Sequence, residues 1–167
     1  MLWLVPALLT TMFVTPSDAD TLLSSPARRV RSTDKQITKM LALGIERSPT
    51  FGRLVRALNS TDVIVYVERT RNLPKPLAGR MLLLPMAGHQ RYLRIQVRSD
   101  LPARELIALI AHELRHALEI ADHPAVRDAS AMLDLYRRIG HATSSALHTF
   151  DTEAAQTAGR QVRQEIS

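Results

Sequence analysis

Residues 105–122 read ELIALIAHELRHALEIAD, and His112, Glu113 and His116 stand within them at the spacing H-E-x-x-H. The neighbouring residues form helix, so positions i and i+4 fall on one helix face, one turn apart. Two imidazoles placed that way can share one tetrahedral zinc ion, each at about 2.0–2.1 Å. Glu113 projects beside the pair. From there it does not reach the ion, but it does reach a water held on it. It would act as general base, with the metal lowering the pKa of that water and polarising a carbonyl. With six histidines and seven glutamates in 167 residues, composition alone produces this spacing roughly one time in a hundred. Leu109, Ile110, Leu114 and Leu118 surround the motif, and unpaired polar groups among them would be costly.

Such a helix must be held by other elements. Asp100 can cap it and Pro102 suits its start. The pattern runs to about Ala121 and breaks at DHP, where Pro124 disfavours helix at His123. Three strands precede it. DVIVYVE (62–68) is rich in β-branched residues and reads as buried on both faces, and RMLLLP (80–85) is a second short strand. RYLRIQV (91–97) alternates, with Leu93, Ile95 and Val97 on one side and Tyr92, Arg94 and Gln96 on the other. Before the strands, Ile37, Met40, Leu41 and Ile45 mark a helix from Asp34 to about Glu46. A second helix follows, capped by Ser48, with Pro49 in its first turn and Phe51, Leu54, Val55 and Leu58 on one face. After the motif come a helix over Val126–Ile139, a loop over 140–149, and a helix from Thr152 onward. This order predicts an α+β fold in which a small sheet of about three strands packs with helices, in a single domain over 34–167.

On the strength of HELRH and its apolar helix, the chain resembles the zincin superfamily of zinc metallopeptidases. The stretches RSPTFGRLVRAL, DVIVYVE and RYLRIQV are also similar to a group of small bacterial proteins that carry a zincin motif. The resemblance implies a zinc-dependent hydrolase acting on a peptide or protein, with Glu113 catalytic and His112 and His116 on the metal. It also implies that 91–97 is an edge strand that aligns an extended substrate. A third metal ligand is then needed. The metzincin pattern would want Gly at 119 and a ligand at 122. Asp122 is present but residue 119 is Glu, and a continuing helix carries Asp122 away from His116. The gluzincin pattern draws an acid from a later helix, which leaves Asp151 and Glu153. Asp151 lines up with Ala155, Ala158 and Val162 on the apolar face, Glu153 with Arg160 and Gln164 on the polar one. Asp151 is therefore favoured and Glu153 is the alternative, although gluzincins carry Glu there and Asp is shorter by one methylene. Tyr136, His141 and His148 are candidate oxyanion stabilisers, with no spacing to choose among them. Glu119, three residues after His116, is placed to orient a ligating histidine. Arg115 faces away from the metal side and suits a surface ion pair. The alternative function is a zinc-stabilised binding domain without turnover, in which Glu113 would have no use as a base.

Composition narrows the rest. The hydrophobic fraction of 46% and charged fraction of 23% are those of a globular domain. The absence of cysteine excludes disulfides, thiolate zinc sites and thiol catalysis. The net charge of +6 comes from arginines spread along the chain, and aromatics make up only 4%, so nucleic acid is not an expected partner. MLWLVPALLTTMFV is apolar but too short to span a bilayer, and Ser17 and Ala19 suit an A-x-A-like cleavage site. Residues 1–19 are therefore read as a signal peptide, 20–33 as a flexible lead-in, and the mature chain as secreted or periplasmic with no membrane span. The sequence does not fix an oligomeric state.

Overall fold

The computed structural model describes residues 28–144 and 149–166. The signal peptide read over 1–19, the lead-in up to residue 27, and His148 lie outside the described residues.

Local chemistry starts and stops the first two helices as the sequence leads one to expect. Asp34 accepts from the backbone N–H groups of Gln36 and Ile37 and opens α1 (Lys35–Arg47). Ser48 closes it by donating its N–H to Gly44 O, and opens α2 (Pro49–Asn59) by accepting from Phe51 N at 3.0 Å. The two helices meet closely because residue 44 is glycine, where a Cβ would fall 2.9 Å from the Phe51 ring.

The sheet has four strands rather than three: β1 (Val30–Arg31), β2 (Val63–Thr70), β3 (Gly79–Ala87) and β4 (Gln90–Arg98), in spatial order β1-β2-β4-β3. β1 falls in the stretch read as flexible lead-in. It pairs parallel with β2 and buries Val30. β4 pairs parallel with β2 and antiparallel with β3. A two-residue turn joins β3 to β4, and Gly88 supplies the positive φ, 61°, that such a turn requires. β4 is thus an inner strand, and the expectation that 91–97 forms the edge is corrected. The free edge on that side is β3, since strand order depends on pairings remote in sequence.

One face of the sheet is the core. Val63, Val65, Val67, Leu93, Ile95 and Val97 are buried against the helices. The other face is largely open. There Arg80 donates to Gln96 at 2.6 Å and Gln96 donates to Glu68 at 2.6 Å. The alternation read in β4 holds. The two-sided burial expected of β2 does not, because Tyr66 and Glu68 are half-exposed and only Ile64 on that side is buried.

α3 (Ala103–Ala121) carries the motif. Asp100 does not cap it but pairs with Arg98, and the cap position is Pro102, with no side-chain bond. Its C-terminus is closed by a residue from the sheet. Arg91 donates to the carbonyls of Ile120, Ala121, His123 and Val126 and forms a two-point ion pair with Asp62. α4 (Ala129–Ile139) starts three residues later than read, at the cap Asp128, and leaves Val126 buried in the preceding turn. Two short antiparallel strands, β5 (His141–Ser144) and β6 (Thr149–Asp151), stand in the stretch read as a loop over 140–149 and the two residues after it. Thr152 caps α5 (Glu153–Glu165). At the far end of α5, the Glu165 carboxylate accepts from Thr50 N and the hydroxyls of Thr50 and Ser48, and so ties the last helix to the start of α2. Among the described residues no helix is long and apolar enough to cross a membrane.

Candidate metal and catalytic site

α3 is buried along most of its length, with Leu106, Ile107, Ile110, Ala111, Leu114 and Ala117 in the core. Its remaining stripe carries His112 and His116 toward β6 and α5. Gly159 lets α5 approach: a Cβ there would lie 3.3 Å from both the Ala108 carbonyl and His112 Cβ. Asp151, the last residue of β6, is thereby brought over the pair. Its Oδ1 lies 3.5 Å from His112 Nε2 and 3.6 Å from His116 Nε2. The three residues offer donor atoms that all lie within 4.8 Å of one another. Two imidazoles and one carboxylate are a donor set that suits zinc. The group could hold a metal ion.

The same geometry separates the two acids. The Glu153 side chain is 80% exposed and pairs with Arg160 at 2.8 Å, on the solvent side of α5. Asp151 is fixed instead by Thr152 N, which donates to its Oδ1 at 2.7 Å, and by Gln156 Nε2, which donates to Oδ2 at 3.0 Å. The route to it differs from the expected one. Asp151 stands just before the helix, and it is Thr152 that caps α5 by accepting from Ala155 N. Asp122 ends α3 as an exposed residue, away from the cluster.

Glu119 is buried and touches the site from behind. His116 Nδ1 lies 2.8 Å from its Oε2, and the Thr152 hydroxyl donates to its Oε1 at 2.7 Å. Tyr136 lines the site but donates its hydroxyl proton to the His116 carbonyl at 3.2 Å, with its ring edge-on to the imidazole. His141 is exposed, beside Gln156. Arg115 is half-buried; burial would raise the Glu119 carboxyl, but His116, Thr152 and, last, the charge of Arg115 hold it below its ordinary range.

Charge in the cluster is strongly coupled. Burial pushes the Glu113 carboxyl up to about 7. Burial alone would depress His116, but the carboxylates of Asp151, Glu119 and Glu113 outweigh it and raise the imidazole to about 9. Burial would raise Asp151, yet His116, Gln156 and His112 hold it well below the usual carboxylate range. His112 is lowered by burial and by the charge of His116. Carboxylates facing two imidazoles call for positive charge, which a proton on His116 supplies or a divalent cation can.

A pocket of about 460 Å³ opens at the cluster. Gly79 and Met81 of β3, Leu109 of α3, Met132 and Tyr136 of α4 and Phe150 of β6 help to line it, together with Glu113. The free edge strand passes directly beside the candidate base: a Cβ on Gly79 would lie 2.7 Å from Glu113 Oε1. Gly79, just before the strand read over 80–85, and Thr152, read only as a helix start, both enter the site unannounced. The signal available for Thr152 was its place immediately after Asp151 at a helix N-terminus. No protein-family model, curated protein or solved structure matches the chain.

Proposed function

We propose that the chain is a zinc-dependent metallopeptidase with a zincin-like site, in which His112, His116 and Asp151 hold the ion and Glu113 is the general base. The observation that carries this reading is the convergence of the three donor atoms within 4.8 Å of one another, beside a buried carboxylate that lines the same pocket. When bound, zinc would polarise a substrate carbonyl and make water a stronger acid.

The residues of the chain do the rest. Glu113 sits in a desolvated position that brings its carboxyl to about 7, close to the range in which a group both accepts and returns a proton near neutral pH. It would take the proton from the attacking water and deliver it to the departing amine. The free edge of β3, where Gly79 presents backbone and no side chain to Glu113, offers hydrogen-bonding groups to an extended peptide. The apolar wall of Met81, Leu109, Met132 and Phe150 would receive a nonpolar side chain next to the cleaved bond.

Metal analysis paired with Glu113→Ala tests the reading. The wild-type chain should carry one zinc and cleave peptides. Glu113→Ala should keep the zinc and the fold and lose most turnover. A chain purified without chelator that contains no transition metal would overturn the proposal. Biological activity untouched by Glu113→Ala would point to a binding domain instead.

A further inference from the structure

We infer that Glu119 is a positioning residue that fastens the two halves of the site to each other, holding His116 with one carboxylate oxygen and Thr152 with the other. The inference rests on the metal reading above for its readout in zinc affinity, and on the contacts alone for its readout in the metal-free chain.

The contacts form a closed circuit. His116 Nδ1 meets Glu119 Oε2 at 2.8 Å, and Glu119 Oε1 accepts from the Thr152 hydroxyl at 2.7 Å. Thr152 N donates to Asp151 Oδ1 at 2.7 Å, and that oxygen faces His116 Nε2 at 3.6 Å. Glu119 and Thr152 are 33 residues apart in sequence, so this carboxylate joins α3 to the β6–α5 junction. Glu119 is only 5% exposed. A carboxylate buried to that degree is costly unless its oxygens are satisfied, and here each oxygen has a partner.

The chemistry of the carboxylate sets the orientation of both partners. An ionised carboxylate only accepts, so His116 Nδ1 must be the donor, and Nε2 is the nitrogen left to face Asp151 and His112, where a proton or a metal ion would sit. The Thr152 hydroxyl proton is used on Glu119. Its oxygen is then free to accept from Ala155 N at 3.1 Å, which closes the first turn of α5. That cap fixes the Thr152 peptide whose N–H orients Asp151. The aim of His116 and the aim of Asp151 therefore share one anchor. Glutamine at 119 cannot serve both. Its amide nitrogen, facing His116, would force Nδ1 to accept and move the ring proton to Nε2. Facing Thr152, it would donate to the hydroxyl oxygen and leave the hydroxyl proton without its acceptor.

The test uses the full chain, with zinc titrated against a competing chelator, cobalt(II) absorption as a reporter of ligand geometry, and hydrogen exchange at the Ala155 amide in metal-free protein. Glu119→Gln should lower zinc affinity about 10–100-fold, alter the cobalt spectrum and speed exchange at Ala155. Thr152→Ala should act in the same direction and Thr152→Ser should restore the wild-type values. The double variant Glu119→Gln/Thr152→Ala should lose clearly less zinc affinity than the product of the two single losses, because the two changes share the Glu119–Thr152 bond. Zinc affinity of Glu119→Gln within about twofold of wild type, or losses that multiply in the double variant, would overturn the inference. If Glu119→Gln does not fold, the Thr152 pair decides: an unchanged zinc affinity in Thr152→Ala overturns it. If the wild type binds no zinc, the metal reading fails by itself. Exchange at Ala155 then decides, with faster exchange in both variants expected and unchanged exchange refuting the clasp.

Discussion

Replacing Arg91 with methionine should destabilise the fold more than any exposed substitution, because of where its guanidinium lies. The side chain is 1% exposed. Nε and Nη2 bind Asp62 at 2.8 and 2.7 Å, and the fork also donates to the carbonyls of Ile120, Ala121, His123 and Val126. Helix ends leave carbonyls without partners and carry partial negative charge, which a fixed cation complements. Methionine preserves most of the apolar stem, so the loss is chiefly electrostatic. Each hydrogen bond to a charged group contributes about 1.5–3 kcal/mol, but bonds sharing one donor group do not add. The Asp62 side chain is 43% exposed and regains water when released, whereas the buried carbonyls of α3 do not. The expected loss is therefore chiefly that of carbonyls left without their donor, about 1–3 kcal/mol for each buried one and about 3–5 kcal/mol together. That is a large part of the roughly 5–15 kcal/mol that stabilises a typical domain. Arg91→Lys should lose most of it too, since an ammonium lacks the fork. Asp62→Asn keeps one acceptor for the fork but removes the counter-charge of a buried guanidinium, and should cost less, about 1.5–3 kcal/mol. Urea unfolding followed by circular dichroism measures all three. Arg91→Met within about 1 kcal/mol of wild type would refute the reasoning. A cost for Asp62→Asn equal to that of Arg91→Met would assign the stabilisation to the ion pair and not to the helix end.

Three further outcomes are expected. Gly79→Ala puts a Cβ 2.7 Å from Glu113 Oε1 and 3.1 Å from Leu109 Cδ1, so kcat/KM on a cleaved peptide should fall about tenfold or more while zinc content holds. Asp151→Asn should weaken zinc binding beyond the roughly 100-fold that losing an outer hydrogen-bond partner costs, and Glu153→Gln should leave it unchanged in a chelator competition; the opposite result would move the ligand to Glu153. Glu165 is held below its ordinary range by Ser48 and Thr50 against the opposing effect of burial. A depressed folded-state pKa gives stability that is present above the unfolded value and is lost as pH falls through the folded one. Glu165→Gln should accordingly cost about 1.5–3 kcal/mol near neutral pH and flatten the acid limb of the Tm-against-pH curve.

The local parts of this molecule were legible in its sequence. The pair His112 and His116 follows from helical spacing, and Ser48 and Pro49 mark the junction between two helices because capping chemistry is short-range. The apolar face of Ala155, Ala158 and Val162 was readable too, and those residues are buried. Asp151 was favoured on that face, yet it reaches the histidines from the end of β6 and not from within the helix. What depends on remote pairing was hidden. Alternation assigns Arg91 to the inward face of β4, but only the fold reveals that the end of α3 waits there for a cation. The edge position is hidden for the same reason, since nothing local distinguishes β3 from β4 as the outer member of a hairpin. Glu119 could be linked to His116 by its spacing, but not to Thr152, 33 residues away.

The insertion of β4 between β2 and β3 also orders events in time. β3 and β4 are adjacent in sequence and joined by the tight turn at Gly88, so they can pair within the roughly 1–10 μs of hairpin formation. The parallel ladder that matches Val63 with Arg91 and Thr70 with Arg98 must close a much longer loop, which makes it the slower step. The hairpin would then dock onto β2 as a finished unit, and Arg91 would arrive with it. The C-terminus of the motif helix would stay unsealed until that docking is complete, so refolding should restore the protection of the last α3 amides together with the β2–β4 amides, and after those of the hairpin.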